Sequence, residues 1–243
     1  MSKGYRRTAL ISGANRGIGF EFVRQYAEKG WSVIAGARNP DAADGLRELA
    51  HQYDGLSVET LDVSSPSSID ALAGKLEGTP VDVLVNNAGI FGEFPSQAFG
   101  SIDFAQFDTF MRTNALGPLK MCEAFLEHVK ASVEKKVVSV TSQAGSFGLN
   151  SGGLPGMYFY KSSKAAQNMI MRNVAEDVRQ YGIAVCVLSP GMVNTAGEIP
   201  PERRFPGLIE PPESVAGMID VIDGMTLEKS GKFIRYTHEE QPW

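Results

Sequence analysis

The chain has 243 residues, 43% of them hydrophobic and 21% charged, which suits one globular domain, residues 1–243, with a full-sized core. A formal net charge of -5 speaks against nucleic acid or an anionic membrane as partner. No apolar run approaches the roughly 18 residues of a spanning helix. The cysteines Cys122 and Cys186 lie in apolar periodic segments, and read as small buried residues rather than a disulfide or metal pair. His51, His128 and His238 lack metal-ligand spacing, so no metal is expected.

The chain opens on a basic tail, Met1–Arg7, and a first predicted strand, Thr8–Ile11, whose apolar run is too short for a signal-peptide core. With no disulfide framework either, a cytoplasmic protein is expected. The strand runs into Ser12-Gly13-Ala14-Asn15-Arg16-Gly17-Ile18-Gly19. Glycines at 13, 17 and 19 permit a tight turn and let a diphosphate approach backbone N–H groups at the start of a helix. A glycine cluster alone is a weak signal. Its place after the first strand and before an amphipathic helix (Ile18, Phe22, Val23, Tyr26, Ala27) strengthens it, and makes Gly13, Asn15, Arg16, Gly17, Ile18 and Gly19 candidate cofactor contacts.

The second predicted strand, Ser32–Ala37, ends at Arg38, where an NAD site usually places a carboxylate for the ribose 2′-hydroxyl. Arg38 instead offers a guanidinium fork for a 2′-phosphate, with Arg16 as a second cation, so NADP(H) is expected over NAD(H). A helix is expected from near Asp41, and a third strand over Ser57–Leu61. After it, Asp62, beside Val63, could accept from an adenine amino group or cap the following turn. A helix from near Ser65 leads to a fourth strand, Val81–Val85, ending in Asn86-Asn87-Ala88-Gly89. Small residues there let a cofactor lie close, and the Asn amides can pin neighbouring strands. The loop Ile90–Ile102 is a candidate wall of a substrate pocket.

One long helix is predicted from near Asp103, with an apolar stripe running from Phe104 to Val129 that reads as core or subunit interface. Pro118 has no N–H to give to the carbonyl of Asn114, so a kink with a free acceptor is expected there, able to hold a water leading towards Lys164. The fifth strand, Val137–Thr141, delivers Ser142 to the carboxyl edge of the sheet, with Ser146 as backup. A helix from near Tyr158 carries Tyr160 and Lys164 on one face, four positions apart. A neighbouring ammonium is expected to lower the phenol from its usual ~10; a fall of about two units corresponds to ~3 kcal/mol. Tyr158 is a decoy, because Ser162 and not lysine follows it at that spacing. A sixth strand, Ile183–Leu188, precedes Ser189-Pro190-Gly191 and a second pocket-wall loop, Met192–Pro212. A last helix, near Glu213–Glu228, and a strand around Lys232–Tyr236 complete the order of a doubly wound α/β sheet, parallel and covered by helices on both faces.

Together these pieces resemble the short-chain dehydrogenase/reductase family. They are Gly13…Gly17-Ile18-Gly19, Asn86-Asn87-Ala88-Gly89, Asn114, Ser142, Tyr160…Lys164 and Ser189-Pro190-Gly191…Thr195, which stand in the family's order over nearly the whole chain. The resemblance implies a Rossmann fold with a seven-stranded sheet, and hydride transfer between a nicotinamide and a carbonyl or alcohol. It implies Tyr160 as acid–base residue, Lys164 on the ribose, Ser142 orienting the carbonyl and Asn114 supporting a proton relay. Pro190, Gly191, Val193 and Thr195 would meet the nicotinamide end. It also favours a homodimer or homotetramer acting on a small carbonyl or alcohol substrate. The ending Gly231-Lys232-Phe233…Pro242-Trp243, with a long stretch before Tyr160, is similar to the C-factor-like and sniffer-like carbonyl reductases. Ser12 stands where the family usually has threonine. The added segment Gly148–Gly153 must loop out if Ser142 is to reach the carbonyl, which keeps Ser146 and Ser151 as substitutes. Aromatic and apolar residues of the loops (Phe91, Phe94, Phe147, Leu149, Leu154, Met192) point to an apolar or aromatic carbonyl. The competing reading is a C-factor-like signalling or NADP-sensing protein that binds cofactor without essential turnover.

Overall fold

Strands that are apolar at consecutive positions need cover on both sides, and the chain supplies it by alternating strand with helix. In the computed structural model, residues 5–150, 155–195, 199 and 206–243 are described. The first half runs β1 (Thr8–Ser12), α1 (Gly17–Glu28), β2 (Ser32–Ala37), α2 (Asp44–Gln52), β3 (Leu56–Thr60), α3 (Pro66–Lys75) and β4 (Val83–Asn86). Then follow α4 (Phe107–Met111), α5 (Gly117–Ala124), α6 (Leu126–Lys130), β5 (Lys136–Val140), α7 (Tyr158–Val178) and β6 (Ala184–Ser189). Two short strands, β7 (Met192–Val193) and β8 (Leu208–Ile209), precede α8 (Pro211–Asp223) and β9 (Phe233–Arg235).

Seven strands form one parallel sheet in the order β3-β2-β1-β4-β5-β6-β9, as the sequence implies. The order reverses between β1 and β4, so the crevice beyond their carboxyl ends is the place where such sheets take a ligand. Strand residues alternate between two cores. Ala9, Ile11, Val138 and Leu188 pack under α1, α2 and α8 on one face. Leu10, Val137, Val185 and Val187 pack under α3, α5, α6 and α7 on the other.

The predicted long helix is broken. A 3-10 turn, Phe104–Gln106, leads into α4, a π segment over Arg112–Leu116, α5 and α6. Pro118 cannot donate, and the ladder widens just before it: the Gly117 N–H reaches back five residues to the Arg112 carbonyl. The expected kink is therefore a π segment with Asn114 at its middle. Gly117 is needed there, because a Cβ would stand 2.7 Å from the Val63 carbonyl, three residues beyond β3. The helix expected from Asp41 begins at Asp44, after a 3-10 turn over Pro40–Ala42. The last helix starts earlier and ends sooner than expected, at Pro211, which suits a first turn, and at Asp223, where Gly224 follows. The loop Met192–Pro212 is structured at both ends, where β7 pairs with β8 in parallel. Its residues 196–198 and 200–205 lie outside the described residues, as do Ser151 and Leu154.

Candidate active site

The glycine turn is shaped by close approach. Gly13 and Gly17 have φ of +65° and +56°, in the left-handed region that favours glycine. A Cβ on Gly13 would lie 2.8 Å from Ala88 Cα, and one on Gly19 would lie 2.1 Å from the Gly13 carbonyl oxygen. The turn is tied to the end of β4 by Ser12, whose hydroxyl accepts from the N–H groups of Asn87 and Ala88, both at 3.1 Å. Asn87 Nδ2 returns bonds to the Ser12 and Gly13 carbonyls. Asn86 faces elsewhere: its side chain is buried against α5 and donates to the Pro118 carbonyl at 3.4 Å. The side chain of Asn86 is thus engaged by α5, at Pro118 and Cys122.

Helix α1 starts at Gly17 with no side-chain cap and no acid in its first turn, so its first N–H groups and positive dipole end are available to an anion. Arg16 immediately precedes this end and Arg38 follows β2, the neighbour of β1; both are exposed, and among the described residues neither has an ion-pair partner. Asp62 is half-buried, and its Oδ1 accepts from the N–H and the hydroxyl of Ser64 at 2.9 and 2.7 Å. The capping reading of Asp62 thus holds for that oxygen. Val63 beside it is buried. Pro190 is buried, its carbonyl taken by the Ser214 hydroxyl at 2.7 Å, and Gly191 has a φ of +77°. Ile18 and Val193 are half-buried, and Asn15 is exposed. Thr195 closes the crevice from the far side, with its Cβ 3.3 Å from where a side chain on Gly17 would begin. An uncapped helix start, a glycine turn pressed on the residues that follow β4 and two exposed cations fit a dinucleotide diphosphate carrying an extra phosphate.

At the other end of the crevice Ser142 follows β5, near enough to the Tyr160 phenol for its hydroxyl to act on that group. Its hydroxyl also accepts from the Ala144 N–H at 3.1 Å, which caps a 3-10 turn. Ser146 is held away from the phenol: it donates to the Pro242 carbonyl at 2.6 Å and accepts from the Leu149 N–H at 3.0 Å. Tyr158 points outward and packs near the exposed ring of Phe99. Phe91, from the loop after β4, sits over Tyr160 with ring centroids 4.8 Å apart and the planes at 60°.

Lys164 is buried, and its ammonium donates to the Val140 carbonyl at 3.1 Å and to Gln167 Oε1 at 2.8 Å. Burial lowers it from 10.5 to about 8. Burial also pushes the Tyr160 phenol up, and only the Ser142 hydroxyl pulls it down. The expected lowering of the phenol by Lys164 is thus not a property of the protein's own groups: the lysine bonds β5 and Gln167. Asn114 is buried, and its Oδ1 accepts from the Ile90 N–H at 2.8 Å. Its Nδ2 donates to the Ile90 carbonyl and to the Ser163 hydroxyl, both at 2.9 Å. Gly89 lies between the two: a Cβ there would sit 3.2 Å from Asn114 Oδ1 and 3.6 Å from Lys164 Nζ.

Three residues of this site are not apparent from the sequence. Gln97 is fully buried, and its Oε1 accepts from the Tyr160 N–H at 2.9 Å, serving the start of α7, whose N-cap Met157 has no side-chain cap. Its Nε2 holds the Phe91 carbonyl at 2.9 Å. Ser163 links Asn114 to α7, and Gln167 passes from Lys164 to the Ser139 hydroxyl at 2.7 Å. Ser163, three residues after Tyr160, and Gln167, three after Lys164, recur on the same side of α7, so helical periodicity was the available signal. Gln97 had none.

With this geometry in hand, the family model described as short chain dehydrogenase matches residues 7–202. The chain belongs to the short-chain dehydrogenase family. It is therefore an oxidoreductase of a family that uses a nicotinamide cofactor. Among curated relatives it is 41% identical over 166 residues to the C-signal of Myxococcus xanthus, covering 68% of this chain and 93% of that one. It is 37% identical over 231 residues to 1-hydroxy-2-glutathionyl-2-methyl-3-butene dehydrogenase of Rhodococcus sp. (strain AD45), covering 93% and 95%. Among solved structures, the NADPH-bound carbonyl reductase from chicken fatty liver superposes with a TM-score of 0.89 at 29% identity, over 98% of this chain and 99% of that one. Among the described residues no helix is long and apolar enough to cross a membrane.

Proposed function

We propose that this dehydrogenase-family chain is an NADP(H)-dependent carbonyl reductase of the cytoplasm, with Asn114, Ser142, Tyr160 and Lys164 as its catalytic set. The observation that carries the reading is the gathering of these groups at one end of the crevice: Asn114 Oδ1 and Lys164 Nζ meet at Gly89, and the Ser142 hydroxyl lies near enough to the Tyr160 phenol to pull it down. When bound, the dinucleotide supplies or takes up a hydride at its nicotinamide. Ser142 and Tyr160 converge on one point, where both hydroxyls can donate to a carbonyl oxygen. The phenol, held protonated by burial, then gives its proton to the oxygen as negative charge develops. Lys164, between β5 and Gly89, offers its ammonium to the ribose. Asn114 fixes Gly89–Ile90 against α7 and takes part in the relay that restores the proton. The free cations of Arg16 and Arg38 support NADP over NAD, and the cradle residues are the ones set out above. Phe91, Phe94, Phe147 and Met192, all exposed at the mouth, favour an apolar or aromatic carbonyl. Exposed Phe104, Leu116 and Leu119 along the α4–α5 side support a homodimer or homotetramer, which light scattering at one chain mass would contradict.

The test is NADPH oxidation by the purified protein against a panel of aldehydes, ketones and quinones. Turnover of apolar members is expected; silence across the panel would remove the enzyme reading. The likeness to C-signal favours a second reading, in which the protein binds NADP as a signal or sensor. That reading expects a cellular phenotype indifferent to Tyr160→Phe.

A further inference from the structure

The Ser142–Tyr160 stretch and the tail are the two features that set this chain apart within its family pattern, and the fold joins them. Three contacts run in step. Gln143 Nε2 donates to Gln241 Oε1 at 2.6 Å, the Ser146 hydroxyl to the Pro242 carbonyl at 2.6 Å, and the Gly148 N–H to the Trp243 carbonyl at 2.9 Å. Gly148 is pressed on the tail, since a Cβ there would be 3.0 Å from Pro242 Cβ. The tail is fastened in turn. Trp243 stacks on fully buried Phe233 of β9, with centroids 5.6 Å apart, and the Arg172 guanidinium of α7 lies 5.3 Å from its ring centre. The Gln241 N–H closes the segment on the Phe233 carbonyl at 2.7 Å.

On its other side the held segment abuts the catalytic helix. A Cβ on Gly145 would stand 2.7 Å from the Lys164 carbonyl carbon, and the Gly145 carbonyl accepts from Asn168 Nδ2. Asn150 folds the segment on itself through the carbonyls of Gln143, Ala144 and Ser146. Ser142 heads this segment and caps its first turn.

We propose that Gln241-Pro242-Trp243 is a strap that positions Ser142 for catalysis, with Trp243 as its anchor and Gln143, Ser146 and Gly148 as its receiving points. Residues 143–150 form no regular element beyond one 3-10 turn, but Asn150 ties them into one unit with Ser142 at its head, so whatever holds that unit fixes where Ser142 points. The strap fixes it from the β9 side, while α7 fixes it from the other. An inserted loop beside a catalytic serine and a tail ending in Pro-Trp are then one device: either without the other leaves the hydroxyl unplaced.

The catalytic half of this proposal rests on the role given to Ser142 above, and the structural half does not, so the test has two arms. In the first, hydrogen exchange compares the wild type with Trp243→Ala and Ser146→Ala. Exchange is expected to quicken at the amides of Ala144, Gly148 and Leu149, while β5 and the middle of α7 keep their protection. Unchanged exchange at 144–149, or quickening spread over the whole sheet, overturns the strap. In the second arm, Trp243→Ala is expected to lower kcat about ten- to hundredfold, as misplacing a group by about 1 Å does, with NADPH affinity unchanged. Trp243→Phe, which keeps the ring stack, is expected to restore it. In a Ser142→Ala background Trp243→Ala is expected to cost nothing further, because both act through one hydroxyl. Losses that multiply would overturn the positioning role. A wild type with no turnover at all would instead refute the proposed function, and leave the exchange arm to decide the strap.

Discussion

Burial acts on Tyr160 and Lys164 in opposite directions, raising the phenol and lowering the ammonium. Lysine in the unfolded chain keeps its proton to 10.5, whereas folded Lys164 loses it near 8. Between these values the unfolded state binds more protons, so wild-type stability should rise with pH across that window. The fall corresponds to roughly 3 kcal/mol at most. Urea unfolding of wild type and Lys164→Met at pH 7 and pH 10 checks this. The wild type is expected to gain on the variant as pH rises; a constant difference would mean that the amine is not the titrating group. At the cofactor end, Arg38→Ala is expected to weaken NADPH binding about tenfold or more and leave NADH binding nearly unchanged, for the loss of one charge-assisted contact. Equal effects on both cofactors would remove the 2′-phosphate argument. Residues of this kind were legible because their chemistry is local: a cation where an acid belongs, a Tyr–Lys pair at helical spacing. The choice between Ser142 and Ser146 was not, since both lie just after β5 and the contacts that separate them, Ser142 near the phenol and Ser146 held by the tail, come from distant parts of the chain.

Elements were legible where burial dictates composition. Strands β1, β2, β5 and β6 stand out because both their faces are covered. The stretch from Phe104 to Val129 misleads because its apolar stripe continues through every break. Neither the π segment at Asn114 nor the halt at Phe125, with φ of -99° and ψ of 10°, changes the residue pattern. The cap of α7 by Gln97 was invisible for a different reason: the two lie 63 positions apart. At this scale the glycine turn gives the sharpest prediction. Gly19→Ala forces a Cβ to 2.1 Å from a backbone oxygen and 2.5 Å from Asn87 Nδ2, so the turn must open. Fluorescence titration is expected to show NADPH binding lost, with far-UV dichroism largely retained. A variant that binds normally would show that the turn is not the cradle.

Over the whole molecule, one sheet with two cores brings the ends of β1, β4, β5 and β6 to a single edge, and the loops and α7 complete the site there. The order of elements and the spread of motifs made this architecture readable, because a doubly wound sheet leaves its strand–helix alternation in the chain. What the alternation does not carry is how distant loops meet across the edge: Phe91 over Tyr160, Thr195 against Gly17, the tail under Gly148. The account turns on one proton, given by a buried phenol to a carbonyl oxygen beside Ser142. Steady-state reduction of an apolar ketone by Tyr160→Phe, with NADPH binding measured in parallel, tests it most directly. The account predicts a loss in kcat of about 10²- to 10⁴-fold at unchanged cofactor affinity. Turnover within a few-fold of the wild type would contradict it.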